Sequence, residues 1–189
     1  MTGWIVLGVL VFILVGLVLY IITIYNGFVA LKNNIERNWS NIDVLLKQRY
    51  DELPKLIKVC EGYMQHEQKT LEAVIKARSM AGQARTDEQK MQAQNMLTDT
   101  LKSLFMVVER YPELKADKSF QQLGYRITEL EDQIADRREF LNESVNIYNI
   151  RIEQFPDVII ARMLNFAKRT LWQIDPEHRQ DVKVEFNHT

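Results

Sequence analysis

The chain has 189 residues, room for about one domain and an anchor. Charged residues make up 26% and almost cancel, to a net charge of −1, so neither the basic excess of a nucleic-acid binder nor an acidic solvating tail is present. A single cysteine excludes an internal disulfide, and seven Gly with four Pro favour long helices over a turn-rich β fold.

The charges are placed asymmetrically, none before Lys32. Trp4 to Tyr25 is an almost unbroken run of Ile, Val, Leu and Phe. As a helix its length is roughly 33 Å, against about 30 Å for a bilayer's hydrocarbon core. Trp4 at one end and Tyr20 and Tyr25 at the other stand where aromatic rings favour the membrane interface. A cleaved signal peptide would need a basic start and small residues before the cut, and neither is present. Gly8 and Gly16 lack the four-residue spacing of a helix-dimer motif. Lys32, Arg37, Lys47 and Arg49 follow the span, so the positive-inside rule expects the N-terminus outside and the remainder in the cytoplasm, at the cell (inner) membrane.

After the span, Ile35, Trp39, Ile42, Leu46, Leu53, Ile57, Cys60 and Met64 recur at helical spacing. The stripe continues less cleanly through Leu71, Val74, Ile75 and Ala81 to Gly82, predicting one long first helix kinked at Pro54. Thr86-Asp87-Glu88-Gln89 reads as a capping box opening a second helix, with Leu97, Leu101, Leu104 and Val108 inward and Phe105 alongside, ended by Tyr111-Pro112. Asp117 caps a third helix with the stripe Phe120, Leu123, Ile127, Leu130, Ile134, Leu141, Val145, Tyr148, Ile152 and Phe155, stopped by Pro156. A fourth helix is expected over 157–172, then a flexible tail over 173–189. The expected fold is all-α: an anchor (1–26) continuing into an antiparallel up-and-down four-helix bundle (27–172).

No constellation of catalytic groups emerges. His66-Glu67 lacks the second histidine of a zinc-protease helix, since position 70 is Thr, and His178 and His188 fall in the predicted tail. No phosphate loop or nucleophile elbow occurs. Cys60 reads as a small buried hydrophobe, Trp39 as core, and the methionines from Met64 to Met163 as gap-fillers. Neither a metal nor a cofactor is expected.

The run ERNWSNIDVLLKQRYDELPKLI, carrying Trp39, Asp43, Arg49, Tyr50, Asp51 and Pro54, resembles the LemA family of bacterial membrane proteins, the MamQ-related members included. Gly62-Tyr63, His66-Glu67 and Arg78 follow in the family's order, then Tyr111-Pro112 and Phe120, then Tyr148-Asn149 and Phe155-Pro156. The sequence departs at Asn165-Phe166, where the family tends to carry Gly-Phe. The resemblance implies a transmembrane helix and a four-helix bundle, with these signature residues structural or partner-binding. The function expected is a non-enzymatic scaffold or adaptor, with the bilayer and other membrane or cytoplasmic proteins as partners and no nucleic acid. A tethered regulatory or sensory subunit bending at Pro54 is the alternative. An enzyme built on Arg49, Asp51 and His66 comes third.

Overall fold

A computed structural model describes residues 2–173, and every regular element among them is helical. The order is α1 (Thr2–Glu61), α2 (Gln68–Gln83), α3 (Asp87–Val108), α4 (Pro112–Ala116), α5 (Lys118–Glu153) and α6 (Asp157–Met163). The residues fall into two units, 2–43 with 136–171 and 44–135 with 172–173. Helices α1 and α5 contribute to both. The tail expected from Gln173 onward lies, beyond that residue, outside the described residues.

In the first unit, residues 2–23 of α1 are all exposed. An 18-residue window there reaches a mean hydropathy of 3.3 with none of it buried, and α1 is the one described helix long and apolar enough to cross a membrane. Burial starts at Ile24 and Phe28. The Phe28 ring stacks on Phe166 at 4.9 Å between centroids and meets Tyr148 edge-on at 6.5 Å. Further along, Asn34 and Asn38 both donate to the Ser144 hydroxyl, at 3.1 and 2.7 Å. Higher positions on α1 thus meet lower positions on α5, so the two run antiparallel.

The fourth helix is far shorter than expected, ending at Met163. Asn165 turns into the left-handed region with φ 56°. Its N–H bonds to the Arg162 carbonyl, and that of Phe166 reaches back to the Ala161 carbonyl at 2.9 Å. This pair of bonds is a Schellman cap, which ends a helix outright. The segment that follows is strapped to α5: Asn149 exchanges two hydrogen bonds with the backbone of Arg169, and the Tyr148 hydroxyl donates to the Ala167 carbonyl. Phe155, expected inside, is 76% exposed, because α5 stops at Glu153 and the phase of its stripe stops with it.

In the second unit, α1, α2, α3, α4 and α5 share one apolar core, from Leu53, Leu56 and Cys60 through Val74, Leu101 and Leu104 to Leu114 and Ile127. The first helix is not continuous to Ala81. It passes through Pro54 but ends at Glu61, and residues 62–67 link it to α2. Met64 N–H closes the last turn on the Cys60 carbonyl, and Glu67 N–H bonds to Met64. A glycine here, Gly62, costs a helix about 1 kcal/mol relative to alanine and marks the break. The capping box forms as predicted, Thr86 accepting from the Gln89 N–H and Gln89 reaching back. Asp117 likewise caps α5, accepting from Ser119 and Phe120 N–H. Trp172, expected at a helix end, is instead buried in an extended segment, its indole N–H donating to Asn95 while the Asn95 amide donates to the Gln173 carbonyl.

Candidate functional site

Among the described residues the polar side chains with the most structure around them lie in the second unit. Arg49 is fully buried. It occupies the seven-residue gap between Leu46 and Leu53, on the inward face, because positions three and four apart share a side of a helix. One terminal nitrogen donates to the Glu131 carboxylate and to the Thr98 hydroxyl at 3.0 Å, and the other donates to the Gln94 side-chain oxygen. Thr98 in turn donates to the second Glu131 oxygen at 2.8 Å. The Arg49 Nε is buried without a hydrogen-bond partner. One turn along, Glu52 is ion-paired with Arg126 and Lys55. Paired and hydrogen-bonded in this way, a buried charge is tolerated, whereas removal of one partner strands the other.

A second constellation forms around Pro54. Proline has no N–H, so the Tyr50 carbonyl, four residues earlier, loses its helical partner. Arg78 of α2 supplies one: its Nε donates to that carbonyl at 3.1 Å. Its guanidinium carbon also sits 3.8 Å from the centre of the Tyr50 ring. The ring lies against α2 so closely that a side chain at Gly82 would meet it at 3.2 Å. Tyr50, Pro54, Arg78 and Gly82 thus form one clasp between α1 and α2.

The third constellation ties the links between helices together. The Tyr63 hydroxyl donates to Asp117 at 3.1 Å, and Arg110 and the Tyr111 hydroxyl both donate to Glu67. Backbone N–H groups, that of Phe120 foremost, hold the Asp117 carboxyl below its ordinary pKa. The bond to Asp117 raises Tyr63 above its own ordinary value. Partial burial, then the Glu67 charge, raises Tyr111. Pro112 opens α4, where its fixed φ suits a first helical position, and α4 seats the buried Leu114.

The remaining sequence-derived positions do not converge. Trp4, Tyr20 and Tyr25 are exposed on the apolar stretch of α1. Trp39 is half-buried rather than core, and Asp43 is exposed. Arg49, Asp51 and His66 do not come together: Arg49 points into its own cluster, Asp51 pairs with Lys47 on an exposed face, and His66 lines a shallow hollow with Glu61, Gln65 and Glu72. Burial pushes the Cys60 thiol up to about 12, with the Glu61 charge adding to it, so it packs as a hydrophobe and is no nucleophile. Met64 and Met91 fill core space, but Met80, Met106 and Met163 are exposed. Among the described residues no three His, Cys, Asp or Glu side chains group to hold a metal. Sequence reasoning missed Gln94, Thr98 and Glu131, which only the pairing of α1 with α3 and α5 brings to Arg49.

The LemA family model matches residues 38–186. Magnetosome protein MamQ 2 of Paramagnetospirillum magneticum is 24% identical over 178 residues, covering 80% of this chain and 65% of that protein. Magnetosome protein MamQ of Magnetospirillum gryphiswaldense is 21% identical, covering 86% and 69%. Protein LemA of Metamycoplasma hominis is 26% identical, covering 80% and 69%. The chain thus spans just under two thirds, 65%, of the length of the Paramagnetospirillum relatives it matches. With a family model covering well over half its length, the chain belongs to the LemA family.

Proposed function

We propose that this LemA-family protein is a single-pass, membrane-anchored scaffold without catalytic activity, holding other proteins at the bilayer through the outer faces of its helices. One observation carries the reading: most polar signature residues of the second unit are engaged in contacts within the fold, Arg49 in its buried cluster, Tyr50 and Arg78 in the Pro54 clasp and Tyr63, Glu67 and Tyr111 in the bonds between links, while Asp51 and His66 stay exposed and apart. Exposed large side chains such as Met106 and Tyr125 remain for partners. The flanking basic residues Lys32 and Arg37 favour the N-terminus outside and both units in the cytoplasm. A photo-crosslinking residue at position 106 or 125 should capture a reproducible set of membrane or cytoplasmic proteins in cells. Loss of a cellular phenotype on Asp51→Ala, with folding and captured partners intact, would overturn the scaffold in favour of an enzyme. A C-terminal tag protected from protease in right-side-out vesicles and cleaved in inverted ones checks the orientation.

The regulatory alternative has a definite location, since Pro54 removes a rung of α1 that Arg78 replaces from outside the helix. A bend there would move with the clasp. Unchanged distances across α1 and an unchanged partner set in Pro54→Ala would remove that reading.

A further inference from the structure

The first unit carries an apolar face that none of the described residues covers. Phe155, Ile159 and Met163 follow one another at four-residue steps, and they are 76%, 50% and 73% exposed. Ile160 and Ala161, on the other side of α6, are buried. The helix is therefore amphipathic in reverse for a water-facing element: apolar residues clothe both its inner and its outer face. A cluster of large apolar side chains left open in this way marks a contact with something other than water.

The register between α1 and α5 says where this face stands. Phe28 meets Tyr148 and Arg151, and Asn34 and Asn38 meet Ser144. A side chain at Gly27 would run into the Arg151 guanidinium, at 2.4 Å, so that group lies directly against α1 at this level. Since the two helices are antiparallel, α5 beyond Arg151 advances toward the apolar stretch of α1, and at about 1.5 Å per residue its last residue, Glu153, comes level with about residue 25, with Phe155 in the turn that follows. That is the end of the span, next to Tyr25. Arg151 also pairs with Asp157 at 2.6 Å, which fixes the start of α6 at that level. After α6, Phe166 stacks on Phe28, one turn beyond Tyr25, so both ends of α6 are tied to the stretch of α1 that leaves the membrane.

The charges around the face suit a headgroup layer. Asp157 and Glu153 are ion-paired with Arg151 and Lys168, so the acids are neutralised within the unit. Arg162 is exposed on α6 itself, and Lys32, Lys168 and Arg169 lie on the neighbouring segments, each beside an acid of the unit, Glu36 or Glu153. Short amphipathic helices with large apolar side chains and basic neighbours settle about 5–10 Å into the boundary between headgroups and acyl chains.

From this placement we infer that α6 is a second membrane contact, a foot lying in the bilayer interface beside the transmembrane helix, with Phe155, Ile159 and Met163 inserted among the lipid chains and Arg162 at the phosphates. The inference rests on the reading that residues 4–25 cross the bilayer. Such a foot fixes the first unit against the membrane surface, where a lone helix would let it swing.

Single-cysteine variants of the full chain test it, made in a Cys60→Ala background so that the introduced thiol is the one that labels. Val18→Cys, Met163→Cys and Glu143→Cys, each carrying an environment-sensitive fluorophore, are reconstituted in phosphatidylcholine vesicles with and without phosphatidylglycerol. Lipids spin-labelled at shallow and deep chain positions are then added as quenchers. The expected result is loss of emission at position 18 with the deep label and at position 163 with the shallow label, while Glu143→Cys, roughly 12 Å back along α5 from Arg151, keeps its emission. Phe155→Cys should repeat the behaviour of position 163. Quenching at 18 but wet, unquenched emission at 163 and 155 overturns the foot and leaves the anchor standing. A dry but unquenched probe at 163 also overturns it, and hands the face to a protein partner or a second copy. No quenching at position 18 overturns the anchor and the foot together.

Discussion

The two units are held together by different means. The second is built as long helices are expected to be, from apolar stripes meeting in one core, with a single buried arginine answered by Gln94, Thr98 and Glu131. The first buries a shorter pair of stripes, Ile24, Phe28, Ile35 and Ile42 of α1 with Leu141, Val145, Tyr148 and Ile152 of α5, and adds particular side chains to them. Its α1 and α5 are joined by a hydroxyl that accepts from two asparagines, and its last segment is held by a stacked phenylalanine and by asparagine-to-backbone bonds. Periodicity secures both units, and in the first particular side chains hold the last segment as well. Damage to the stripes should therefore spread through the second unit, while damage to those particular side chains should stay local in the first.

The largest effect is expected at Arg49. Arg49→Ala leaves Glu131 and Gln94 without their donor and opens a hole in a well-packed layer, costing about 3–5 kcal/mol, as loss of one partner from a buried pair does. Chemical denaturation of the full chain in detergent, followed by helical signal, should show the loss. The double variant Arg49→Met with Glu131→Leu should recover much of it, because a neutral core of similar volume has no stranded charge. A single-variant loss below about 1 kcal/mol would mean that the cluster is solvated and not part of the core.

Phe28→Ala sharpens the contrast from the other side. Loss of a fully buried aromatic costs about 3 kcal/mol or more where the site cannot collapse. Hydrogen exchange should quicken over α6 and residues 164–169, which rely on the Phe28 and Phe166 stack, while α2 and α3 keep their protection. Equal loosening in both units would break the comparison.

What could be read from the sequence cuts across the two units. Ile35, Ile42, Leu53, Ile57, Cys60 and Met64 were placed on the inward face by spacing, and all are buried, since a 3.6-residue period leaves a helix little choice. Thr86 and Asp117 were legible as caps because a cap is a local matter of one side chain and the next three N–H groups. The break at Gly62 was hidden because the stripe resumes in step at Leu71, and periodicity alone does not distinguish a continuing helix from one that turns back. The end of α6 was hidden for a different reason: no glycine marks it, and Asn165, of the other residue type that visits positive φ readily, ends the helix in the way a glycine does. Of the candidate site, Arg49 stood out only as a residue of the family-like run and of the enzyme alternative. Its partners did not, because they come from α3 and α5 and no spacing within α1 points to them.

A smaller effect separates the two helices of the Pro54 clasp. Arg78→Ala should cost about 1.5–3 kcal/mol, the usual range for a bond from a charged donor, because the Tyr50 carbonyl then has no partner. In a Pro54→Ala background that carbonyl regains a helical N–H, and the same Arg78→Ala change should cost about 1 kcal/mol less. A double-mutant cycle measures this coupling directly. Additive effects would mean that Arg78 acts only through the Tyr50 ring.

The smallest effect is expected where the links meet, because the groups there face water, and its direction with pH is fixed. The Asp117 carboxyl is held below its ordinary value, so its contribution is present above about pH 4 and fades as pH falls through the lowered value. Tyr63 and Tyr111 are raised, so their contributions are present below about pH 10 and fade as pH rises through the raised values. Stability of the second unit should therefore be flat between these limits and slope away on both sides. Asp117→Asn keeps a good helix cap and an acceptor for Tyr63 but removes the titrating group, so the acid slope should shrink. Tyr63→Phe should reduce the alkaline slope and leave the acid side only slightly altered, since backbone N–H groups are the main cause of the lowered Asp117 value. If both variants moved the acid slope equally, Tyr63 and not the helix cap would be what holds Asp117 ionised, and the end of α5 would depend on a contact between links where the rest of the second unit depends on its helices.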